Sequence, residues 1–333
     1  QMEILTFKKV NENGLVVGQM VPFVTPMRLG IILENISIKL KESIKEIRGP
    51  RLGAPANAID GFLKKNKIER SELQEKKTTK GSFYFYTLKI NTQSLSNILS
   101  RIFTEIIQEF NWPKSMYWGD NYSLRWVRPL RSITAVLFEN EKRERVPLHV
   151  RDIESGIVTR AHHVMHPEFF DFKSINDYQE KIANGKVILQ PQERKKIIVQ
   201  EGKKLAEARG FYLIKDDKLL EEIVGLTEFP VPLLGKIPGE LLSIPEEVII
   251  SSMREHQKFL SLRSSTNGKV EGFLVITDLE THDQQKTILS GNMRVLNSRL
   301  KDAIFFYQND LDLVKHHGMM AWNDKLKSVK FHE

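Results

Sequence analysis

The chain has 333 residues, 41% of them hydrophobic, with 50 Lys and Arg against 42 Asp and Glu, a formal charge of +8 and no cysteine. That length suits about two domains with a true core, and the missing cysteines exclude disulfides, Cys-ligated metal and Cys nucleophiles. No apolar run approaches the ~18 residues of a membrane span, and "QMEILTFKKV" lacks the apolar stretch of a signal peptide, so a cytoplasmic location is expected. The positive balance favours a polyanionic partner, because cations that displace counterions from phosphates supply much of nucleic-acid affinity.

In chain order, "IILENISIKL" (31–40) alternates apolar and polar residues in its second half and is expected to be a strand. "PANAIDGFLKKN" predicts a short helix from Pro55, and "SFYFYTLKI", from Ser82, a strand rich in aromatic and β-branched residues. From Ser94 to Phe110, Leu95, Ile98, Leu99, Ile102, Ile106 and Phe110 form one stripe at helical spacing. "SITAVLFE" (132–139) is expected to be a strand, and the polar "ENEKRERVP" after it marks a domain boundary near 145.

The second half opens on an expected strand, "GIVTRAHHV" (156–164). Ser174 and Asp177 have the spacing of a capping box. Pro191 suits the first turn of a helix that Gly210 closes. "LTEFPVPLLGKIPGELLSIP" reads as an ordered, extended connection, and Pro245 opens the helix "PEEVIISSMREHQKF". Asn267–Gly268 is a hairpin turn, and a last helix covers about Asn292 to Asp310, with Asn292 as its N-cap. Helices mixed with largely antiparallel strands, without regular βαβ alternation, indicate an α+β fold. The expected domains are 1–145 and 146–310, with 311–333 opening a helical domain.

Four segments carry candidate sites. "KSMYWGDNYSLRWVRPLRSI" (114–133) and the residues just before it hold Trp112, Trp118 and Trp126, with Tyr117 and Tyr122. Lys114, Arg125, Arg128 and Arg131 lie among them, with Asp120 the only acid in the segment. Such rings stack on unpaired bases while the cations hold phosphates. The competing reading has the Trp rings roofing a core with Arg laid over them. Core packing is the expectation for the tryptophans and an anionic partner the expectation for the arginines.

In "TRAHHVMH", a strand would set His162 and His166 ~13 Å apart at ~3.3 Å per residue. That is too far for ligands ~2.1 Å from one zinc, so these are expected to be surface or hydrogen-bonded histidines. Arg160 shares a face with His162, which makes the two a candidate phosphate contact. In "SSMREHQKF", Ile249, Met253 and His256 define a buried face. Arg254 and Lys258 are neighbours of like charge, either a solvated pair or an anion contact. Glu255 points elsewhere on that helix. Arg299 stands on a side with Val295, Ala303 and Phe306, and Asp302 is its expected partner. Phosphate-loop, nucleophile-elbow, HExxH and dinucleotide fingerprints are absent, and no catalytic constellation stands out.

Eight segments in order resemble the β subunit of the bacterial two-subunit glycyl-tRNA synthetase. They are "TPMRLG" (25–30), "RGP" (48–50), "PKSMYWG" (113–119), "WVRPLRSI" (126–133), "TRAHHV" (159–164), "LLEEIVGLTEFPV" (219–231), "LLSIPEEVIISSMREHQKF" (241–259) and "GNMRVLNSRLKDAIFFYQND" (291–310). The resemblance implies an α₂β₂ class II ligase that joins glycine to tRNA with ATP. The α subunit would hold ATP, Mg²⁺ and glycine, while the β chain binds tRNA, takes part in assembly and carries no cofactor. The tRNA-binding candidates are then Arg28, Lys114, Arg125, Arg128, Arg131, Arg160, His162, Arg254 and Lys258. Met27, Tyr117, Ala161, His163 and Met293 depart from the family pattern. The family also continues past this carboxyl end through a helical HD-type domain and an anticodon-binding domain, so the chain looks like a fragment whose last residues enter the helical domain. Two alternatives remain at this level. One is a stand-alone RNA-binding fragment. The other is an editing-type aminoacyl-tRNA hydrolase, suggested by a likeness of the family's middle region to another synthetase's editing module.

Overall fold

A computed structural model describes residues 1–38, 44–66, 68–78, 81–89, 94–118, 124–139 and 142–327. The chain forms two compact units. The first comprises Gln1–Val21 and Ile32–Gly156, and the second Pro22–Ile31 and Ile157–Glu333. The expected line at 145/146 falls inside the first unit. The polar "ENEKRERVP" supplies one arm of a hairpin there, Lys142–Arg145, paired antiparallel with Val136–Glu139.

In the first unit, the expected stripe forms the helix Leu95–Glu109, with Ser94 Oγ accepting from the Asn97 amide at 3.3 Å. Ile98, Leu99, Ile102 and Ile106 are buried. The helix Met2–Glu12 lies against it. Lys9 donates to Glu105 at 2.8 Å and to Glu109 at 3.0 Å, and these hydrogen bonds raise its pKa above the ordinary lysine value. A three-stranded antiparallel sheet places Gly81–Lys89 between Ile44–Arg51 and Leu73–Thr78. The helix Ala56–Asn66 packs on Ile44–Arg51.

Two expected strands are interrupted. Residues 132–139 split into Ile133–Thr134 and Val136–Glu139, because the Ala135 amide turns aside to the Gly156 carbonyl at 3.1 Å. Residues 31–40 give Leu29–Glu34 and Ser37–Ile38, separated by Asn35 in the left-handed region at φ 56°. Residues 39 and 40 lie outside the described residues.

The second unit is built on a four-stranded antiparallel sheet. Its order is Phe211–Leu213, Leu260–Ser264, Val270–Thr277, Val231–Lys236. Alternation along these strands sends side chains to two cores. Leu260, Leu262 and Leu274 join Ile198, Ala206, Leu219 and Ile223 from the helices Pro191–Ala208 and Asp217–Val224. Phe273 and Val275 join Phe259, Ile249, Met253, Leu296 and Leu300 on the other face. Each such side chain contributes about 1.5–3 kcal/mol relative to exposure, so the two-sided sheet is the main source of this unit's stability. Gly202 allows the close packing, since a Cβ there would stand 2.6 Å from Leu274 Cδ2.

Pro191 at the helix start, Ser174 as N-cap and Gly268 at φ +70° in the hairpin all sit as expected. The proline-rich 226–245 stretch is more than a connection. Val231–Lys236 is an edge strand, the place where a proline such as Pro232 costs no ladder bond. The last helix also differs. It runs from Lys286 to Lys327, so Asn292 is interior and its side chain donates to the Ile288 carbonyl at 2.8 Å. Leu296 and Leu300 face the core, whereas Val295, Arg299 and Phe306 are exposed. Of the apolar side inferred around Arg299, only Ala303 touches the core, and Arg299 itself lies on the solvent side. At Gly318 the backbone takes φ 78°, ψ 171° and the helix folds back. Lys325 Nζ reaches Asp310 Oδ1 at 2.5 Å, whereas a straight helix would hold the two about 22 Å apart at ~1.5 Å per residue.

Candidate nucleic-acid interface

In the first unit, Met116–Trp118 and Leu124–Trp126 form an antiparallel hairpin with Tyr117 opposite Arg125. Trp112 and Trp126 meet edge to face at 4.9 Å between ring centroids, and Phe110 lies 4.6 Å from Trp112 and 5.6 Å from Trp126. The Trp118 indole donates to the Trp126 carbonyl at 3.0 Å. The tryptophans are thus committed to packing and to the hairpin's own closure, as expected. The same hairpin and its flanks leave Lys114, Arg125, Arg128 and Arg131 exposed. Tyr117 is 58% exposed and Met116 61% exposed beside them. Arg125 Nε donates to Ser115 Oγ at 2.7 Å, which fixes its stem along the strand and leaves its Nη groups to solvent. Gly119, Asp120 and Tyr122 lie outside the described residues.

The other sequence candidates fall in the second unit, and there the structure corrects several of them. Arg28 is no surface cation. Its Nε and Nη2 donate to Glu228 at 2.8 and 3.2 Å, and its Nη atoms donate to the carbonyls of Arg160 and Ala161 at 2.9 and 3.0 Å. Thr25 Oγ1 donates to the same fully buried carboxylate at 2.5 Å. Arg194, also buried, donates to the carbonyls of Val24, Ile188, Leu189 and Val224. Burial pushes its pKa below the ordinary arginine value. These two arginines clamp residues 22–31 into the second unit, each through four hydrogen bonds to internal acceptors. Glu228 and Arg194 were not singled out in the sequence. The available signal was Glu228 inside the apolar run "GLTEFPV", since an acid buried there needs a cation.

His162 is also internal. The strand ends at Arg160, and residues 161–166 form a turn closed by the His166 amide on the His162 carbonyl at 2.8 Å. The ring is fully buried, and its Nδ1 accepts from the amides of Val164 and Met165 at 3.3 and 3.2 Å. That assigns the proton to Nε2, which stands 3.3 Å from Asp278 Oδ2 without hydrogen-bond alignment. A ring so enclosed reaches neither a phosphate nor an ester bond, and the shared face with Arg160 does not exist. Arg160 instead extends over the Phe169 ring, 5.9 Å from its centroid. Among the described residues no three His, Asp or Glu side chains come together to hold a metal.

Arg254 and Lys258 are paired with acids. Arg254 Nε lies 3.1 Å from Asp216 and 3.7 Å from Glu255, and Lys258 Nζ lies 3.0 Å from Glu222. The cause is a widened turn. After Ser252 the helix becomes a π-turn over Met253–Gln257 and ends at Lys258 with φ 57°. The added width brings Glu255 toward Arg254 and leaves His256 exposed, where regular helical spacing had it buried beside Ile249 and Met253.

A family model described as glycyl-tRNA synthetase beta subunit matches residues 1–333. A glycine–tRNA ligase beta subunit of Paracoccus denitrificans is 40% identical over 96% of this chain and 46% of its own length. That of a Ruegeria species is 39% identical over 96% and 47%, and that of Rickettsia typhi 34% identical over 98% and 48%. The chain thus spans about half the length of the curated relatives it matches. With a match that runs from the first residue to the last and relatives that agree in name, the chain belongs to the glycyl-tRNA synthetase beta subunit family.

Proposed function

We propose that this chain serves as the tRNA-binding and assembly portion of a glycine–tRNA ligase β subunit, with glycine activation by ATP and Mg²⁺ carried by an α subunit in an α₂β₂ complex. The observation that carries the tRNA-binding part is the exposed set Lys114, Arg125, Arg128 and Arg131 around a hairpin whose tryptophans are packed beneath. Cations on paired strands can track a phosphate backbone, and Tyr117 beside Arg125 offers a ring to an unpaired base. A hydrolytic role for His162 receives no support, because the ring is enclosed.

The test is tRNA affinity across a salt series for the parent and for R125A/R128A/R131A. Each lost phosphate contact should make the slope of log K against log salt shallower by about 0.7–0.9. A triple variant that matches the parent in affinity and slope would remove this hairpin from the interface. Association is tested separately by mixing with a purified glycyl-tRNA synthetase α subunit. Co-elution is expected, and separate elution would favour a stand-alone RNA-binding fragment.

A further inference from the structure

We propose that a groove on the second unit, running along the start of the long helix, is a binding site for the ribose–phosphate backbone of RNA. This deepens the tRNA reading and rests on it. The groove has two adjoining parts of about 410 and 260 Å³ that share Lys286. One part is lined by Lys286, Thr287, Ser290, Gly291 and Arg294, and the other reaches past Leu289 and Gln285 to Arg209.

Many cations of the unit are already neutralised by a neighbouring acid, whereas others, such as Lys196, Lys218 and Arg299, stand alone on open surface outside this groove. Arg28, Lys186, Lys195, Arg254, Lys258 and Arg263 each pair with an acid. Among the described residues, Arg209, Lys286 and Arg294 have no carboxylate within 4.0 Å. The acid nearest Lys286 in sequence, Asp283, is already engaged, accepting from Thr281 Oγ1 at 2.5 Å and from the Thr287 amide at 2.8 Å. No acid lines either part of the groove.

Helical spacing accounts for the remaining composition. Lys286, Ser290 and Arg294 are four apart and share one face, with cations about 12 Å apart at ~1.5 Å per residue and a hydroxyl between them. Gly291 leaves the wall open, since a Cβ there would meet nothing within 4 Å. The part around Lys286, Ser290 and Arg294 offers cations and hydroxyls in an open groove, and the part toward Arg209 adds an apolar wall of Leu205, Pro232, Leu233, Leu234 and Leu289. Phosphates would lie along the former and a ribose or base face against the latter, which suits a polyanionic strand better than an enclosed small molecule.

The experiment compares tRNA binding across salt for the parent, R209A/K286A/R294A, Gly291→Glu and Gly291→Gln, with folding checked by circular dichroism. Both Gly291 substitutions enter open space and replace a poor helix former, so the fold should be kept. The triple variant should lower the salt slope by about 2–3. Gly291→Glu should weaken binding, and Gly291→Gln should bind as the parent does. Gly291→Glu binding as tightly as the parent would overturn the proposal. A triple variant with the parent's slope would also overturn it, leaving the groove to a protein partner. If R125A/R128A/R131A is weakened in that same experiment, the tRNA reading survives the loss of this site. If the parent binds no tRNA at low salt, both fall.

Discussion

Removing the Glu228 carboxylate probes the part of the second unit that sequence reasoning misassigned. In Glu228→Ala, Arg28 loses two hydrogen bonds and its only carboxylate partner among the described residues, and Thr25 loses its acceptor. Breaking a buried ion pair from one side costs about 3–5 kcal/mol. Arg28 retains two carbonyl partners and its side chain is 17% exposed, which favours the lower end, about 3 kcal/mol. A domain has only about 5–15 kcal/mol in total. In urea, with a slope of about 2 kcal/mol per molar, the midpoint should fall by roughly 1.5 M. Hydrogen exchange gives the local readout. Protection of the Met27 and Arg28 amides, which donate to Thr25 Oγ1 at 3.2 and 3.1 Å, should be lost before that of strand Val270–Thr277. An apolar replacement of both partners, Arg28→Met with Glu228→Leu, should cost less than Glu228→Ala alone. An Ala variant within about 1 kcal/mol of the parent, with residues 22–31 still protected, would refute the clamp.

Three further outcomes follow from the same structure. Burial pushes the Tyr178 hydroxyl up to about 12. An unfolded tyrosine loses its proton near 10 while the folded one keeps it, so stability should fall as pH rises from about 10 to 12. Tyr178→Phe should remove that part of the alkaline limb in pH-dependent urea titrations, and an unchanged limb would refute the assignment. Hydrogen bonds from Thr281 and Thr287 hold the Asp283 carboxyl well below its ordinary range. Its stabilisation is present above about pH 3.8 and lost as pH falls below that value, so Asp283→Ala should lower the melting temperature at pH 6 and narrow the gap to the parent in acid. At Gly318 the φ 78°, ψ 171° geometry belongs to glycine. Gly318→Ala should cost about 1–3 kcal/mol at the fold-back and lengthen the spin-label distance between positions 310 and 325, and an unchanged distance would argue against the kink.

Sequence alone determined the elements whose signals are local. The stripe from Leu95 to Ile106, the Ser174 cap, Pro191 at a helix start and Gly268 in a hairpin each follow from one segment's own sterics and hydrogen bonding. Eight ordered motifs likewise carried the family, which the match over residues 1–333 shows. The exposed cations around the Met116–Trp126 hairpin were legible too, because the segment has one acid to set against four cations. Which cations were already paired was not legible. Arg28 meets Glu228 across 200 positions of sequence, and Arg254 and Lys258 find Asp216 and Glu222 on another helix. His162 reads from its neighbours as a surface or hydrogen-bonded residue, and the structure gives the hydrogen-bonded form, fully buried with Asp278 brought beside it from far along the chain. A charge on one segment carries no information about the acid a distant segment brings to it, so only the tertiary structure decided that Arg28 holds the fold together while Lys286 and Arg294 remain open to a ligand.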